Sequence, residues 1–319
     1  MLSELKWKRL ATSGLVALAL AGCAAQRYVD HPSANQDGRV RFLVLHFTDE
    51  TFERSLDLLT RPHENPVSSH YLVTRAGEYG RRKPTVLRLV DESQRAWHAG
   101  PSRWQGHEPL NGESIGVEIV YESHCPRDPP RPPGGSPWDV DATCAYPPYP
   151  PDQIDAVIAL AKDVIRRHPE IEPSRVVGHS DIQPENKTDP GPRFPWRQLA
   201  AAGIGAWYDD ADVAYYRARF AKGAPTLFAA GAPTLKVMQE ALAAYGYGVP
   251  ANGEADLRTR EVLSAFQSHF LPDRRSGSVD VETAATLFAL LAKYRPEELQ
   301  RLREREPQLP PPRAGAAKP

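Results

Sequence analysis

The 319-residue chain has almost no excess of charge of either sign. Its 39 Lys and Arg residues are balanced by 40 Asp and Glu residues, which gives a formal net charge of −1 at pH 7. Proteins that bind nucleic acid usually present a basic face to the phosphates. The composition therefore argues against nucleic acid as a partner.

The N-terminal apolar segment is too short to cross a bilayer. The run from Ala11 to Leu20 is about half of the roughly 20 residues that a spanning helix needs. Basic residues precede it, as in a signal peptide. The following Leu20-Ala21-Gly22-Cys23 resembles a bacterial lipobox, which would be cleaved before Cys23. An ordinary secretory signal and a buried helix are the alternatives.

The lipobox resemblance also implies a location. Cleavage would remove residues 1–22, and Cys23 would carry the lipid that anchors the chain to a membrane. Ala24, rather than Asp, follows the cysteine, and this is associated with sorting to the outer membrane. We therefore expect a periplasmic lipoprotein, anchored at the inner leaflet of the outer membrane.

Cysteine is scarce, with only three residues. Once Cys23 is lipidated, Cys125 and Cys144 are left, and an even pair in an oxidising compartment suggests a disulfide. Two free thiols are the alternative, because sequence does not show the geometry that a bridge needs. Both lie in or beside a proline-rich loop, so neither is a good nucleophile for a cysteine transpeptidase, which needs a neighbouring His.

Proline is abundant, with 32 residues, and it helps to mark boundaries along the chain. The length predicts two domains or one domain with extensions. We expect a signal peptide over 1–22, a linker over 23–38, a catalytic domain over 39–205 with a proline-rich insertion at 126–151, a helical linker over 206–230, a helical module over 231–294 and a disordered tail over 295–319.

Apolar periodicity predicts an α/β catalytic domain. Alternation predicts strands and 3.6-residue spacing predicts helices. Strands alternating with helices build a layered domain whose site lies at the strand ends. One expected strand ends at His46, and the four others cover Ser69–Arg75, Val86–Val90, Ser114–Tyr121 and Arg175–Val177. Helices are expected from about Thr51 and from about Asp152 to His168.

The C-terminal module has the pattern of three short helices. The sequence pattern Gly-x-x-Asp-x-x-Thr occurs at the start of the second and the third of these helices, and its two copies end at Thr259 and Thr283. The Thr can cap a helix N-terminus, and Asp256 and Asp280 favour its positive end. These residues are structural and not catalytic. A chain ending near Lys222 is therefore expected to keep its activity on small substrates.

The loop from Gly178 to Pro192 holds the most chemistry. It contains His179, Lys187 and Asp189, and upstream His46 ends a strand. Two His and one Asp with an open fourth position is the ligand count of a catalytic zinc. Taken alone, His46 also fits a hydrogen-bonded core histidine.

Glu118 is a candidate pocket residue. In the strand beginning at Ser114, Ile115, Val117 and Ile119 share one face, which puts Gly116 and Glu118 on the other. A carboxylate opposite an apolar face, beside a glycine that leaves room, suggests the floor of a pocket. An ordinary solvated strand carboxylate is the alternative.

Five motifs occur in order along the chain: Leu45-His46-Phe47-Thr48, Val67–Tyr71, Ala96-Trp97-His98-Ala99-Gly100, Asn111–Ile119 and Gly178–Pro192. Together they resemble the type 2 N-acetylmuramoyl-L-alanine amidases, zinc enzymes that trim peptidoglycan. The resemblance implies a mixed central β-sheet flanked by helices, as in peptidoglycan-recognition proteins, plus an all-α peptidoglycan-binding-like domain of three helices. The lipobox and the link Gly203–Trp207 are similar to the outer-membrane lipoprotein members.

The same resemblance assigns the site. It makes His46, His179 and Asp189 the ligands of one Zn²⁺ per chain, Glu118 the proton acceptor and Lys187 the transition-state stabiliser. Distant phage and animal relatives carry a Tyr at the position of Ser69. Some members carry an Arg where Pro109 stands, and Arg103 is the candidate to replace it.

Three further residues are candidates for substrate binding, each with a structural alternative. Trp97 would stack on a sugar or line the pocket, or pack in the core. His98 would line the groove or hydrogen-bond beneath it. Asn111 would bind the stem peptide or hold the turn before the Glu118 strand.

The resemblance implies peptidoglycan as the partner, and we expect a monomer. A non-catalytic peptidoglycan receptor on the same fold is the main rival function. Loss of a metal ligand usually marks that class, and here all three ligands and Glu118 are present. The sequence leaves open the preference between ordinary and 1,6-anhydro sugars and the accepted stem peptides.

Overall fold

The computed structural model describes residues 29–125, 135–227 and 232–315. The chain divides into two compact units, Met1–Asp37 and Gly38–Pro319. Residues 29–37 of the first unit are exposed and form neither helix nor strand. The predicted signal peptide, the lipobox with Cys23, residues 126–134 of the proline-rich insertion and the last four residues of the tail lie outside the described residues.

A mixed five-stranded sheet forms the centre of residues 39–205, the predicted catalytic domain, which is called the catalytic part below. Its strands are β1 (Phe42–Phe47), β2 (Tyr71–Val73), β3 (Val86–Arg88), β4 (Ser114–Ile119) and β5 (Val176–Gly178), in the order β3-β2-β4-β1-β5. β1 pairs in parallel with β4 and β5, β2 pairs in parallel with β4, and β3 is antiparallel to β2. The α/β prediction is confirmed.

Among the described residues, five α-helices accompany this sheet: α1 (Phe52–Thr60), α2 (Pro137–Asp141), α3 (Pro151–Arg167), α4 (His179–Ile182) and α5 (Trp196–Ala201). Two of them, α1 and α3, are the helices that periodicity predicted. The Thr51 side chain caps α1 by accepting a hydrogen bond from the Arg54 backbone N–H. α3 buries Ile154, Val157 and Ala161 against one face of the sheet.

The two faces of the sheet have different partners. Leu43 and Leu45 of β1 lie in the core that α3 shares. Phe42 and Val44 belong to a second core formed mainly by the C-terminal helices. His46 follows Phe42 and Val44 on this second face, because side chains alternate along a strand.

The C-terminal helices are α6 (Asp210–Leu227), α7 (Ala232–Tyr245), α8 (Leu257–Phe270), α9 (Val281–Tyr294) and α10 (Pro296–Arg305). α6, expected to be a linker, packs on α9 through Tyr216, Phe220 and Phe288. The caps of α8 and α9 are Asp256 and Asp280, which accept the backbone N–H of the Thr three residues later. The prediction that Thr is the cap is therefore wrong.

Two segments predicted to be irregular are ordered. The tail was expected to be disordered but contains α10, and the side chains of Leu299 and Leu302 are fully buried in the core of the C-terminal helices. This burial of apolar side chains stabilises the helix, and the composition of the tail did not predict it. Within the proline-rich segment, α2 buries Trp138. Cys125 and Cys144 form a disulfide. In the described part of the chain, none of the helices is long and apolar enough to cross a membrane.

Candidate active site

Three buried side chains meet where β1 and β5 end. His46 lies near the end of β1, His179 begins α4 directly after β5, and Asp189 lies in the loop that follows. The His46 Nδ1 atom is 3.0 Å from His179 Nδ1 and 3.1 Å from Asp189 Oδ2, and His179 Nδ1 is 3.3 Å from Asp189 Oδ2. The structure thus brings together the three predicted ligands as a group able to hold a metal ion.

The spacing of these atoms fits zinc. Ligand atoms placed 2.0–2.1 Å from a tetrahedral centre lie about 3.3 Å from one another, close to the three observed separations. Two imidazole nitrogens and one carboxylate oxygen are also a donor set that zinc accepts. Burial, and then the neighbouring His179, lower the pKa of His46 to about 4, which favours the neutral imidazole that a metal requires.

His98 forms a hydrogen bond with His46, one of the three predicted ligands. Its Nδ1 atom is 3.0 Å from His46 Nε2, and its Nε2 atom is 3.1 Å from the Ser114 hydroxyl, which donates to the Leu110 carbonyl. A Cβ atom at Gly116 would lie 2.4 Å from His98 Cγ, so only glycine leaves room for the ring. Hydrogen-bonded support of this kind fixes the orientation of a metal-ligating histidine.

Glu118 lies beside the ligands on β4. It pairs in register with His46 across the parallel strands, and its Oε2 atom is buried without a hydrogen-bond partner among the described residues. Burial and the charge of Asp189 raise the pKa of Glu118 well above its usual value, and the charge of Lys187 acts in the opposite direction. A carboxyl group with a raised pKa and an unused oxygen is suited to proton transfer.

The ligands open into a pocket of about 170 Å³. Trp97, 48% exposed, stands on its wall, and the exposed Lys187 lines it together with Glu118. His98 lines the pocket as well as hydrogen-bonding beneath it, so both interpretations of His98 apply. Aromatic and cationic groups at the opening can contact a sugar ring and an anionic peptide.

Two predicted substrate-binding residues lie elsewhere. The Asn111 side chain accepts hydrogen bonds from the backbone N–H groups of His98 and Ala99, at 3.0 and 2.8 Å, and thus holds the turn that carries His98. Arg103 is 3.4 Å from Glu108 and lines a separate cavity of about 750 Å³. The structure does not bring Arg103 into the metal pocket.

Sequence reasoning missed two buried polar residues of the site. Ser114 forms a hydrogen bond with His98. The sequence could have identified Ser114, because alternation along the strand puts it on the same face as Gly116 and Glu118. Asp181 is 1% exposed and accepts a hydrogen bond from the Gly178 backbone N–H, next to His179. No local pattern marked Asp181, since its other partners lie far along the chain.

Comparison with known families gives two matches. Residues 36–192 match the family described as N-acetylmuramoyl-L-alanine amidase. Residues 232–287 match the family described as "Putative peptidoglycan binding domain". The first range contains the five strands and helices α1 to α4, and the second contains α7, α8 and the first half of α9.

Individual relatives extend over nearly the whole chain. N-acetylmuramoyl-L-alanine amidase AmiD of Escherichia coli K12 is 40% identical over 292 residues, 87% of this chain and 95% of the relative. The crystal structure of Pseudomonas aeruginosa AmpDh3 with anhydromuramic pentapeptide matches at TM-score 0.72 and 39% identity, covering 85% of this chain and 99% of that one. The structure of the E. coli AmiD complex with anhydro-N-acetylmuramic acid-L-Ala-D-gamma-Glu-L-Lys matches at TM-score 0.66 and 39% identity. The match covers 83% of this chain and 93% of that one.

Proposed function

The chain belongs to the N-acetylmuramoyl-L-alanine amidase family, and on that basis we propose that it is a zinc amidase of cell-wall peptidoglycan. The bond it cuts joins the lactyl group of N-acetylmuramic acid, or of the 1,6-anhydro form, to L-Ala. Two related structures contain anhydromuramic peptides, which favours muropeptides among the substrates. Turnover or recycling of the wall would be its role.

The observation that carries the proposal is the grouping of His46, His179 and Asp189 beside Glu118. Zinc held by the three ligands would lower the pKa of water and polarise the substrate carbonyl. Glu118 would accept the proton of the attacking water and pass it to the leaving amine of L-Ala. Lys187 would stabilise the negative charge that develops on the carbonyl oxygen.

The rest of the chain would bring the enzyme to its polymer. We assign catalysis to residues 39–205 and peptidoglycan binding to the helical module, whose family match supports that role. Cys23 would carry a lipid and hold the protein at the outer membrane. Metabolic labelling with palmitate tests the anchor, since the label should enter the wild-type chain and not Cys23→Ser.

The competing function is a receptor that binds peptidoglycan without cutting it. It is disfavoured because all three ligands and the carboxylate with an unused oxygen are present. Mass spectrometry of products separates the two functions. Zinc-loaded protein starting after Cys23 should release peptides beginning with L-Ala from anhydromuropeptides and from intact sacculi. Tight binding without released peptide would support the receptor.

A further inference from the structure

The carboxylate of Asp181 joins the metal-binding loop, Gly178 to Pro192, to the helical part, which comprises helices α6 to α10 and the loops between them. Its Oδ2 atom accepts hydrogen bonds from the Gly178 backbone N–H and from His269 Nδ1, each at 2.8 Å. Its Oδ1 atom accepts one from the Tyr247 hydroxyl at 2.6 Å. Gly178 immediately precedes the ligand His179, so these hydrogen bonds reach the residue next to a metal ligand.

The two helical-part donors are held rigidly. Tyr247 and His269 are 2% and 5% exposed. The His269 ring stacks between Trp196 and Phe270, with centroid separations of 3.9 and 4.0 Å. The Nε2 atom of His269 has no hydrogen-bond partner among the described residues. Within that part of the chain, the hydrogen bond from Nδ1 to Asp181 is therefore the polar contact of this ring.

Two more contacts hold the same loop from outside. The Trp138 indole N–H donates to the Pro184 carbonyl at 2.8 Å. Arg258 of α8 forms an ion pair with Glu185. Pro184 and Glu185 lie between His179 and Asp189, so the contacts are distributed along the segment that carries both ligands.

We propose that the helical part is a structural component of the metal site, with His269 and Tyr247 as positioning residues for His179. Without them, Asp181 would remain buried with only the Gly178 N–H, and an unpaired buried carboxylate is strongly unfavourable. The turn would rearrange to hydrate it, displacing His179 from a ligand geometry that tolerates only about 0.5 Å. The inference rests on the proposed zinc site. It argues against a helical part that acts only as a tether.

The test removes single polar groups from the full-length chain. His269→Phe keeps the aromatic stack and Tyr247→Phe keeps the ring, and each loses its hydrogen bond to Asp181. Zinc affinity, measured by competition with a chelator, should fall by up to about 10-fold. This is the lower end of the loss seen when a direct partner of a metal ligand is removed, because the effect reaches His179 through Asp181 and Gly178. On a soluble anhydromuropeptide kcat should fall, and KM should change little.

Two further variants separate positioning from general stability. His269→Asn places an amide N–H near the lost Nδ1 donor and should restore part of the zinc affinity. Phe288→Leu, a buried change in the helical core, should lower the free energy of unfolding while zinc affinity stays unchanged.

Equal zinc affinity in wild type, His269→Phe and Tyr247→Phe would overturn the inference while leaving the proposed function intact. Loss of affinity in Phe288→Leu to the same degree would also overturn it. A wild-type chain that binds no zinc would overturn both.

Discussion

His46 and Glu118 are direct neighbours on parallel strands, paired in register between β1 and β4. Paired residues of adjacent parallel strands project to the same face of the sheet. The proposed metal ligand and the proposed proton acceptor are therefore fixed side by side by two strands of the central sheet. Placing a site on such rigid elements gives more precise positions than loops do.

Removal of the metal should abolish activity. Chelation is expected to stop release of L-Ala peptides, and one equivalent of Zn²⁺ should restore it, because His46, His179 and Asp189 form a single ligand group. Metal content measured by atomic emission should follow activity. Full turnover by metal-free protein would contradict the zinc assignment.

Glu118→Gln should keep zinc and lose kcat by about 10²–10⁴-fold, the usual contribution of general acid–base catalysis. Burial and Asp189 raise the pKa of Glu118, and only the ionised form can accept a proton. Wild-type activity should therefore fall as the pH drops through a value above 4.5. If Glu118→Gln lost zinc, Glu118 would be a ligand and not the base.

Lys187→Ala should lower kcat about 100-fold with a smaller change in KM. Its charge would act on the transition-state oxyanion, and loss of one such group costs about 3 kcal/mol. Lys162→Ala, which removes an exposed lysine of α3, is the matched control and should be neutral. Steady-state kinetics on a soluble muropeptide distinguish the effects, and a change confined to KM would make Lys187 a binding residue.

Gly116→Ala should weaken zinc binding by displacing His98. The added Cβ would lie 2.4 Å from His98 Cγ, and such overpacking costs about 1–3 kcal/mol of stability. Gly112→Ala is the control, since a Cβ there meets no atom within 4 Å. Gly116→Ala should have a lower zinc affinity, measured by chelator competition, and a lower free energy of unfolding in urea than Gly112→Ala. Similar zinc affinities for the two variants would show that His98 does not orient His46.

A cluster around Glu92 should make stability depend on pH. Burial alone would raise the pKa of Glu92, but hydrogen bonds from Arg167, Tyr71 and His168 outweigh it and lower this pKa to about 2. The folded-state pKa is thus below the unfolded value near 4.5. The stabilisation is complete above pH 4.5 and is lost as the pH falls toward 2.

The variant Glu92→Gln tests this. At pH 7 it should lose about 1 kcal/mol of unfolding free energy, a modest value because solvent screens the partly exposed ion pair. The difference from wild type should shrink at pH 3, as measured by urea unfolding. The control Glu64→Gln changes an exposed carboxylate. A constant difference across this pH range would contradict the assignment.

Local patterns were sufficient to locate the strands of the sheet, although β2, β3 and β4 are shorter than predicted, and to bring out several residues that line the metal pocket. Alternation along β4 put Gly116 and Glu118 on one face, and the strand ending in His46 was visible as an apolar run. Both follow from the two-residue period of a strand. The residues of one short loop singled out His179, Lys187 and Asp189, and the resemblance to the amidases then implied a role for each.

Tertiary structure alone decided how that loop is held. Asp181 is 88 residues from His269 and 66 from Tyr247 in sequence, and no local period reports a contact at such a distance. The same holds for α10, where Leu299 and Leu302 are ordered by a core built from other helices. It also holds for Arg103, which lines a cavity beside Tyr247 rather than the metal pocket. Sequence spacing determined which side chains share a face, whereas packing between distant segments determined which faces meet.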